Sequence, residues 1–395
     1  RFEGIEEPLA RIAGRTYLMD AARRLTLGAI DSGQKPAVVS AIVKRYLTEG
    51  MRAVVNDAMD IQAGAAIVRG PRNILAAAYA SVPIGITVEG ANILTRSLII
   101  YGQGAIRCHP FVQHEINAIA ANDLVALDKA FFGHVLHVVA TKIRCVWHAL
   151  TGARFAVVPG RGPVRRLFAQ LTRFSAAYAL VSDVAMATLG GTLKRRERLS
   201  GRLADALAWL YIGSAVAKRF HDEGQSKRDL PLFRWCAAEA LFEIQTALQA
   251  VLDNLPNRPA AWFLRLAVFP LGARLRPAND RWSAAVAKLV LTDRDALERL
   301  TGDIFVPPPE EEGLGKLEAA AAKIAAAAPI DRKIRDAVRA RKVQDIDGDA
   351  VIDAAQRAGV ITEPERCIAR AAAAARHDVV QVDSFPSADY LKQRR

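Results

Sequence analysis

Strand signals are scarce in this chain. Across its 395 residues, apolar side chains recur at spacings of three and four rather than two. That excludes a sheet-based core and points to helices. Cysteine is rare as well. Cys108, Cys145, Cys236 and Cys367 stand far apart with no CxxC pair, so no disulfide framework is implied and reduced thiols suit a cytosol. No signal-like segment precedes the first helical pattern, and the first residue is Arg1 rather than Met. The chain therefore reads as a fragment or processed piece. The most apolar run, Phe174 to Leu189, carries Asp183 and is short for a bilayer span, so a buried bundle helix is expected there. No repeat of fixed period is present.

Acidic residues are too few to balance the basic ones, and the net charge is +13. Most of the surplus is local. Between Lys142 and Arg202 stand twelve Lys and Arg against two acids, Asp183 and Glu197. Such a stretch is either a solvated basic face or a surface that attracts anionic lipid or phosphate. No recognisable nucleic-acid module accompanies it, so nucleic acid is not expected as a partner.

What is abundant is alanine and helical periodicity, in a chain long enough for two or three domains. Helices are expected over Glu7–Ile30, Lys35–Gln62 and Asn92–Tyr101, with loop and short helix between, punctuated by Gly64, Gly70, Pro71 and Pro83. One or two more cover 111–150, and Gly152–Pro163 is a connection. Helices follow over Val164–Gly190, Leu193–Glu223 and Leu230–Leu255, then shorter ones between prolines. Val306–Gly313, with three consecutive prolines and three glutamates, reads as a linker. Beyond it, Lys316–Ala328, Asp331–Arg341 and Asp347–Ala358 read as separate helices. The expected fold class is all-α: a helical bundle over 1–110, an appended helical region over 111–305, a linker at 306–315 and a small helical region over 316–395.

The most informative stretch is Thr87-Val88-Glu89-Gly90-Ala91-Asn92-Ile93-Leu94-Thr95-Arg96. It sets one carboxylate among apolar neighbours, with Val82, Ile84, Ile86 and Val88 before it and Ile93, Leu94, Leu98 and Ile99 after it. Poor solvation raises a carboxylate's pKa and makes it a better base once ionised. Gly90 leaves room for a substrate to approach the backbone. A buried Glu can equally cap or pair, so both roles stay open at this point.

Other candidates carry less. His134 and His137 share a helix face, but Asp128 and His148 do not complete a metal-ligand set. No metal is expected. Cys108-His109-Pro110 lacks an oxyanion element, and adjacent residues rarely face each other. Asp345-Ile346-Asp347-Gly348-Asp349 has the look of a calcium loop but no closing Glu, so it reads as a capped helix start. Trp147, Trp209, Trp235, Trp262 and Trp282 read as core or groove-lining bulk.

The Glu89-Gly90 step resembles the end of the acyl-CoA dehydrogenase catalytic domain, where a Glu-Gly-Thr or Glu-Gly-Ala step follows two long helices and opens another. The likeness runs from Phe2-Glu3-Gly4 through Val38–Lys44 and Ala58–Ile61 to Tyr101–Pro110. It is similar above all to the large bacterial-type fatty acyl-CoA dehydrogenases, whose long helical extension resembles Leu180–Met186 and Leu193–Ser200 here. The resemblance implies a missing N-terminal portion, FAD as cofactor and Glu89 as the base that removes the α proton of a fatty acyl-CoA. It implies Gly90 beside the thioester, and Ala91, Asn92 and Ile93 near the flavin, although Ala91 replaces the usual threonine. It also implies a flavin contact at Asp60–Ala65, where Gly64 alone keeps a usually glycine-rich turn. Gly64 reads equally as an ordinary helix C-terminal glycine.

The implied partners are a saturated fatty acyl-CoA, which would become the trans-2-enoyl-CoA in fatty-acid β-oxidation, and an electron-transfer flavoprotein. An anionic membrane surface and a homo-oligomer stay open. The implied location is cytoplasmic, with room for a peripheral association at the inner face of the cell membrane. The alternative is a non-catalytic membrane-docking or assembly module that uses the basic 142–202 region.

Overall fold

The computed structural model describes residues 2–105, 109–302, 304–346 and 348–388. Among the described residues every regular element is helical, as the apolar spacing requires. The helices are α1 (Glu3–Asp31), α2 (Ala37–Gln62), α3 (Ala76–Thr87), a π-helix (Thr95–Gln103), α4 (Val112–Ala120), α5 (Leu124–Thr151), α6 (Gly162–Leu189), α7 (Glu197–Asp222), α8 (Leu230–Asn254), α9 (Arg258–Val268), α10 (Asp280–Thr292), α11 (Arg294–Thr301), α12 (Leu314–Arg339), α13 (Ala350–Arg357) and α14 (Glu363–Val379). They form two compact units. One holds residues 1–57 and 81–301, the other 58–80 and 302–395.

In the first unit α7 is the central helix. It packs against α1, α6, α8 and the π-helix, and buries Leu203, Ala206, Leu210, Ala217 and Phe220 on several faces. Helix α1 approaches through small residues, Ala10, Ala13, Gly14 and Ala21. At Gly14 a Cβ would sit 2.2 Å from the Trp235 indole of α8, so only glycine fits the crossing. Arg219 lies 4.0 Å over the Tyr17 ring and pairs with Asp20 at 3.0 Å and Glu223 at 2.9 Å. That buried cation is therefore matched by two carboxylates and a ring face.

The expected boundary at 110 does not fall between these units. α1 contacts α7, α8 and α10, and one continuous core runs from Ala10 to Ala296. The apolar stripe of the first helix needs the later helices to cover it.

The second unit has its own small core of Ile330, Ile334, Val343, Ile352, Ala355 and Ile361. α12 packs on α14, which starts with a capping box formed by Thr362 and Glu365. Arg72 donates to the Asp378 carbonyl at 2.6 Å and to its carboxylate at 2.9 Å. The stretch expected as a linker belongs to this unit, with Gly313 and Gly315 buried.

Two prolines did not break helices where the sequence suggests they would. Pro83 lies inside α3 and Pro329 inside α12. In α12 the stripe Ala320, Ala327, Ile330, Ile334 and Ala337 stays buried through the proline, so packing overrides the local cost. Expected separate helices at 316–328 and 331–341 are thus one. Trp235 is buried, as core bulk, but Trp147 and Trp262 are exposed. They belong to a broader apolar surface on α5 and α9. Phe132, Leu136, Ile143 and Leu150 of α5 are exposed too.

Candidate functional site

The Glu89-Gly90 step is a turn between α3 and the helical stretch that begins at Asn92. Glu89 has φ 54° and Gly90 has φ 99°. Glycine adopts that conformation freely. For glutamate, the left-handed region costs about 1–2 kcal/mol. A strained non-glycine residue persists only where its surroundings hold it, and such residues gather at functional sites.

The holding group is Lys44 of α2. Its ammonium donates to the Ile86 carbonyl at 3.1 Å, the Gly90 carbonyl at 2.7 Å and the Asn92 side-chain oxygen at 2.8 Å. Three donors thus meet three oxygens, one from each side of the turn and one from the helix start. Thr95 adds a hydroxyl bond to the Gly90 carbonyl at 3.2 Å. The π-helix behind the turn is fixed to α7 by Arg96, which forms a two-pronged pair with Asp205, and Tyr46 donates to the same carboxylate. Burial, with the Asp205 charge adding to it, holds the Tyr46 hydroxyl well above its ordinary pKa, so it stays a donor. A π-helix of this kind is uncommon and tends to mark functional positions.

The expectation that Glu89 is starved of water is overturned for this chain. Glu89 is exposed, and so are its apolar neighbours Ile84, Val88, Ile93 and Leu94. Apolar residues adjacent in sequence surround a side chain only if the fold turns them over it. Here they point outward with it and form an uncovered apolar rim. Asn92 differs from the sequence expectation as well. It is 4 % exposed, and its amide donates to Thr48 at 3.0 Å and Glu49 at 2.9 Å while its oxygen accepts from Lys44. The side chain is consumed inside the protein. Ala91 is exposed, and Ile93 is 81 % exposed, so these two do present free surface.

Gly64 lies in the second unit, in a single turn of 3-10 helix over Ala63–Ala66. A Cβ at Gly64 would meet nothing within 4 Å. The residue in the left-handed conformation is Ala63, at φ 49°, so the chain reversal there does not depend on the glycine.

Sequence reasoning missed Lys44 and Thr48. Lys44 acts mainly through backbone carbonyls of a distant turn, which leave no mark in the sequence.

A second cluster joins α4, α5 and α6. Asp183 accepts from His109 Nε2 at 3.0 Å. His109 Nδ1 accepts the backbone N–H groups of Phe111 and Val112, at 3.2 and 3.1 Å. A neutral imidazole with Nδ1 accepting carries its proton on Nε2, so this proton goes to Asp183 and no lone pair remains for a metal ion. His137 completes a compact trio with His109 and Asp183. Burial lowers the His137 pKa, with the Asp183 charge opposing. His134, on the same helix as His137, bonds to Glu115 at 2.9 Å. Cys108 lies outside the described residues, as does Asp347 of the calcium-loop-like stretch.

Residues 106–385 match the family model for the acyl-CoA dehydrogenase C-terminal domain of bacterial type. The chain belongs to this family. Among solved structures it is similar to an acyl-CoA dehydrogenase complexed with FAD from Bacillus anthracis, at 18 % identity and a TM-score of 0.55. The match covers 75 % of this chain and 49 % of that one. The likeness at that identity concerns the fold, and the chain spans about half the length of that relative.

Proposed function

We propose that this chain supplies the proton-abstracting part of an FAD-dependent acyl-CoA dehydrogenase, with Glu89 as the base. One observation carries the reading beyond family membership. A carboxylate stands in a strained backbone conformation on a turn that Lys44 grips at three oxygens. Strain held this firmly is expensive to maintain for a residue without a task.

The chemistry follows from the thioester. Its carbonyl acidifies the neighbouring α carbon, and a carboxylate placed within hydrogen-bond reach removes that proton and becomes a carboxylic acid. The electron pair of the α C–H bond forms the new double bond as a hydride leaves the β carbon. FAD, when bound, supplies the acceptor for that hydride. The product is a trans-2-enoyl-CoA, the substrate a saturated fatty acyl-CoA in β-oxidation, and the next electron carrier an electron-transfer flavoprotein.

The residues fit this in part. Gly90 has no side chain to obstruct a thioester, and the exposed Ala91 and Ile93 offer apolar surface for a flat ring. The bonded Asn92 side chain does not reach outward, and Gly64 forms no tight cradle for a phosphate. The rim of Ile84, Val88, Ile93 and Leu94 supplies the desolvation that Glu89 lacks once an acyl chain and the flavin-binding part of the protein cover it.

The test is Glu89→Gln in the full-length protein. Turnover of a fatty acyl-CoA should fall by about 100-fold or more with flavin content unchanged. Unchanged turnover would remove Glu89 from the reaction.

A second reading is favoured by α5. This helix is 28 residues long and apolar enough to cross a bilayer, yet only 11 % of its most apolar window is buried. Exposed Trp147 and Trp262 with nearby Lys142, Arg144 and Arg265 suit contact with an anionic membrane surface. Co-sedimentation with anionic vesicles that weakens steeply with salt supports docking, and binding indifferent to lipid charge and salt rejects it.

A further inference from the structure

Two adjacent cavities of about 610 Å³ each lie between the π-helix, α5, α6 and α7. Glu89 and Gly90 line neither. The walls are mainly apolar, with Leu98, Ile116, Val135, Val139 and Met186 around the first. Tyr101 and Asp183 line both cavities, and Ser182 lines the second.

These three polar residues are more than nine-tenths buried, at 2 %, 5 % and 6 % exposure respectively. Yet the second Asp183 oxygen has no hydrogen-bond partner among the described residues, and the Tyr101 and Ser182 hydroxyls have none beyond a loose approach to each other. A buried polar group left without a partner is a net cost to the fold. Their mutual influence shows that they form one cluster: burial pushes the Tyr101 hydroxyl up to about 12, the Ser182 hydroxyl opposes and the Asp183 charge adds. Tyr101 therefore keeps its proton and stands as a donor, beside a carboxylate oxygen that only accepts. A buried carboxylate oxygen with no partner, beside two hydroxyls with bonding capacity to spare, at the meeting point of two apolar cavities, calls for a ligand.

We infer that this cluster is a binding site for a single-chain alkyl ligand ending in a neutral hydroxyl. A hydroxyl both donates and accepts. It gives its proton to the free Asp183 oxygen and accepts from Tyr101, with Ser182 able to take either part. An anionic head would face the Asp183 charge. An ammonium could donate to that carboxylate but has no lone pair to accept from Tyr101, so it serves the cluster only in part. The apolar walls take the chain, and their volume falls within the ordinary range for ligand pockets.

The experiment titrates full-length protein with 1-decanol and, separately, with decyl methyl ether, and follows the melting temperature and binding heat. Decanol should bind saturably and raise the melting temperature. The ether, which has the tail but no donor, should bind at least tenfold more weakly. Tyr101→Phe removes a buried hydroxyl with no firm partner, so the unliganded protein should melt at the same temperature or higher while decanol affinity falls at least fivefold. Ala187→Trp, at an exposed position on the first cavity's wall, should fold normally and abolish the decanol response. Equal binding of the two ligands, or full decanol binding by Ala187→Trp, overturns the proposal. So does a melting shift produced by Zn²⁺ and lost in His137→Gln, since that would make the cluster a metal site.

Discussion

Two carboxylates of this chain live under opposite conditions. Glu89 stands on a turn, exposed, with a strained backbone and no ion-pair partner among the described residues. Asp183 lies inside α6, 5 % exposed, bonded to His109 through one oxygen and unsatisfied at the other. Their sequence surroundings look alike, since both sit in apolar runs. The difference comes from helix geometry. In α6 the neighbours one turn away close over Asp183 because α5 and α7 pack there. At the turn Glu89 is exposed, with no described element of the first unit closed over it. Apolar neighbours along the chain therefore do not desolvate a residue. A covering element does, and at Glu89 the proposal assigns that cover to the substrate and the flavin-binding part.

Substitutions can break or sharpen this comparison. The largest effect is expected at the support of the turn. Lys44→Met strands three oxygens that the ammonium now serves, and should lower unfolding free energy by about 3 kcal/mol in urea titrations. In the full-length protein it should also cost at least tenfold in turnover, because the turn relaxes. Next comes the buried carboxylate. Asp183→Leu leaves the His109 Nε2 proton without an acceptor and should destabilise by about 2–3 kcal/mol, whereas Asp183→Asn, which still accepts that proton, should cost less. If Asp183→Leu is as benign as an exposed substitution, the two regions are not as different as described.

A smaller effect of opposite sign is expected at Glu89. Asparagine tolerates the left-handed conformation better than glutamate. Glu89→Asn should therefore raise stability by about 0.5 kcal/mol while removing activity, a pairing that a purely structural carboxylate would not give. The smallest effect concerns pH. Burial lowers the pKa of His148, and of His137 where Asp183 opposes it. A histidine whose folded pKa lies below its unfolded value of about 6.5 binds more protons when unfolded. Stability should therefore fall as pH drops below about 6.5, and His148→Phe should flatten part of that slope in thermal melts.

Much of the fold was legible beforehand because helical periodicity is a strong signal. α2, α6 and α8 fall close to their expected bounds. The single helix through Pro329 was not legible, since its continuity depends on packing against α14. α14 itself, rich in alanine with a short apolar stripe, gives a weak pattern and was missed. At the site, the Glu-Gly step could be found by residue type, but its support could not. Lys44 lies 45 positions from Glu89 and acts through carbonyls, which carry no sequence mark. The cavity was equally hidden, because Tyr101, Ser182 and Asp183 are brought together only by the contact of α6 with the π-helix region.

The most direct test follows hydrogen at the α carbon. Full-length protein and its Glu89→Gln variant are incubated in deuterated water with an acyl-CoA whose β position cannot lose hydride, and deuterium uptake is read by mass spectrometry. The account predicts exchange of an α hydrogen in the native protein and its loss in the variant, at unchanged flavin content. Equal exchange in both would contradict it.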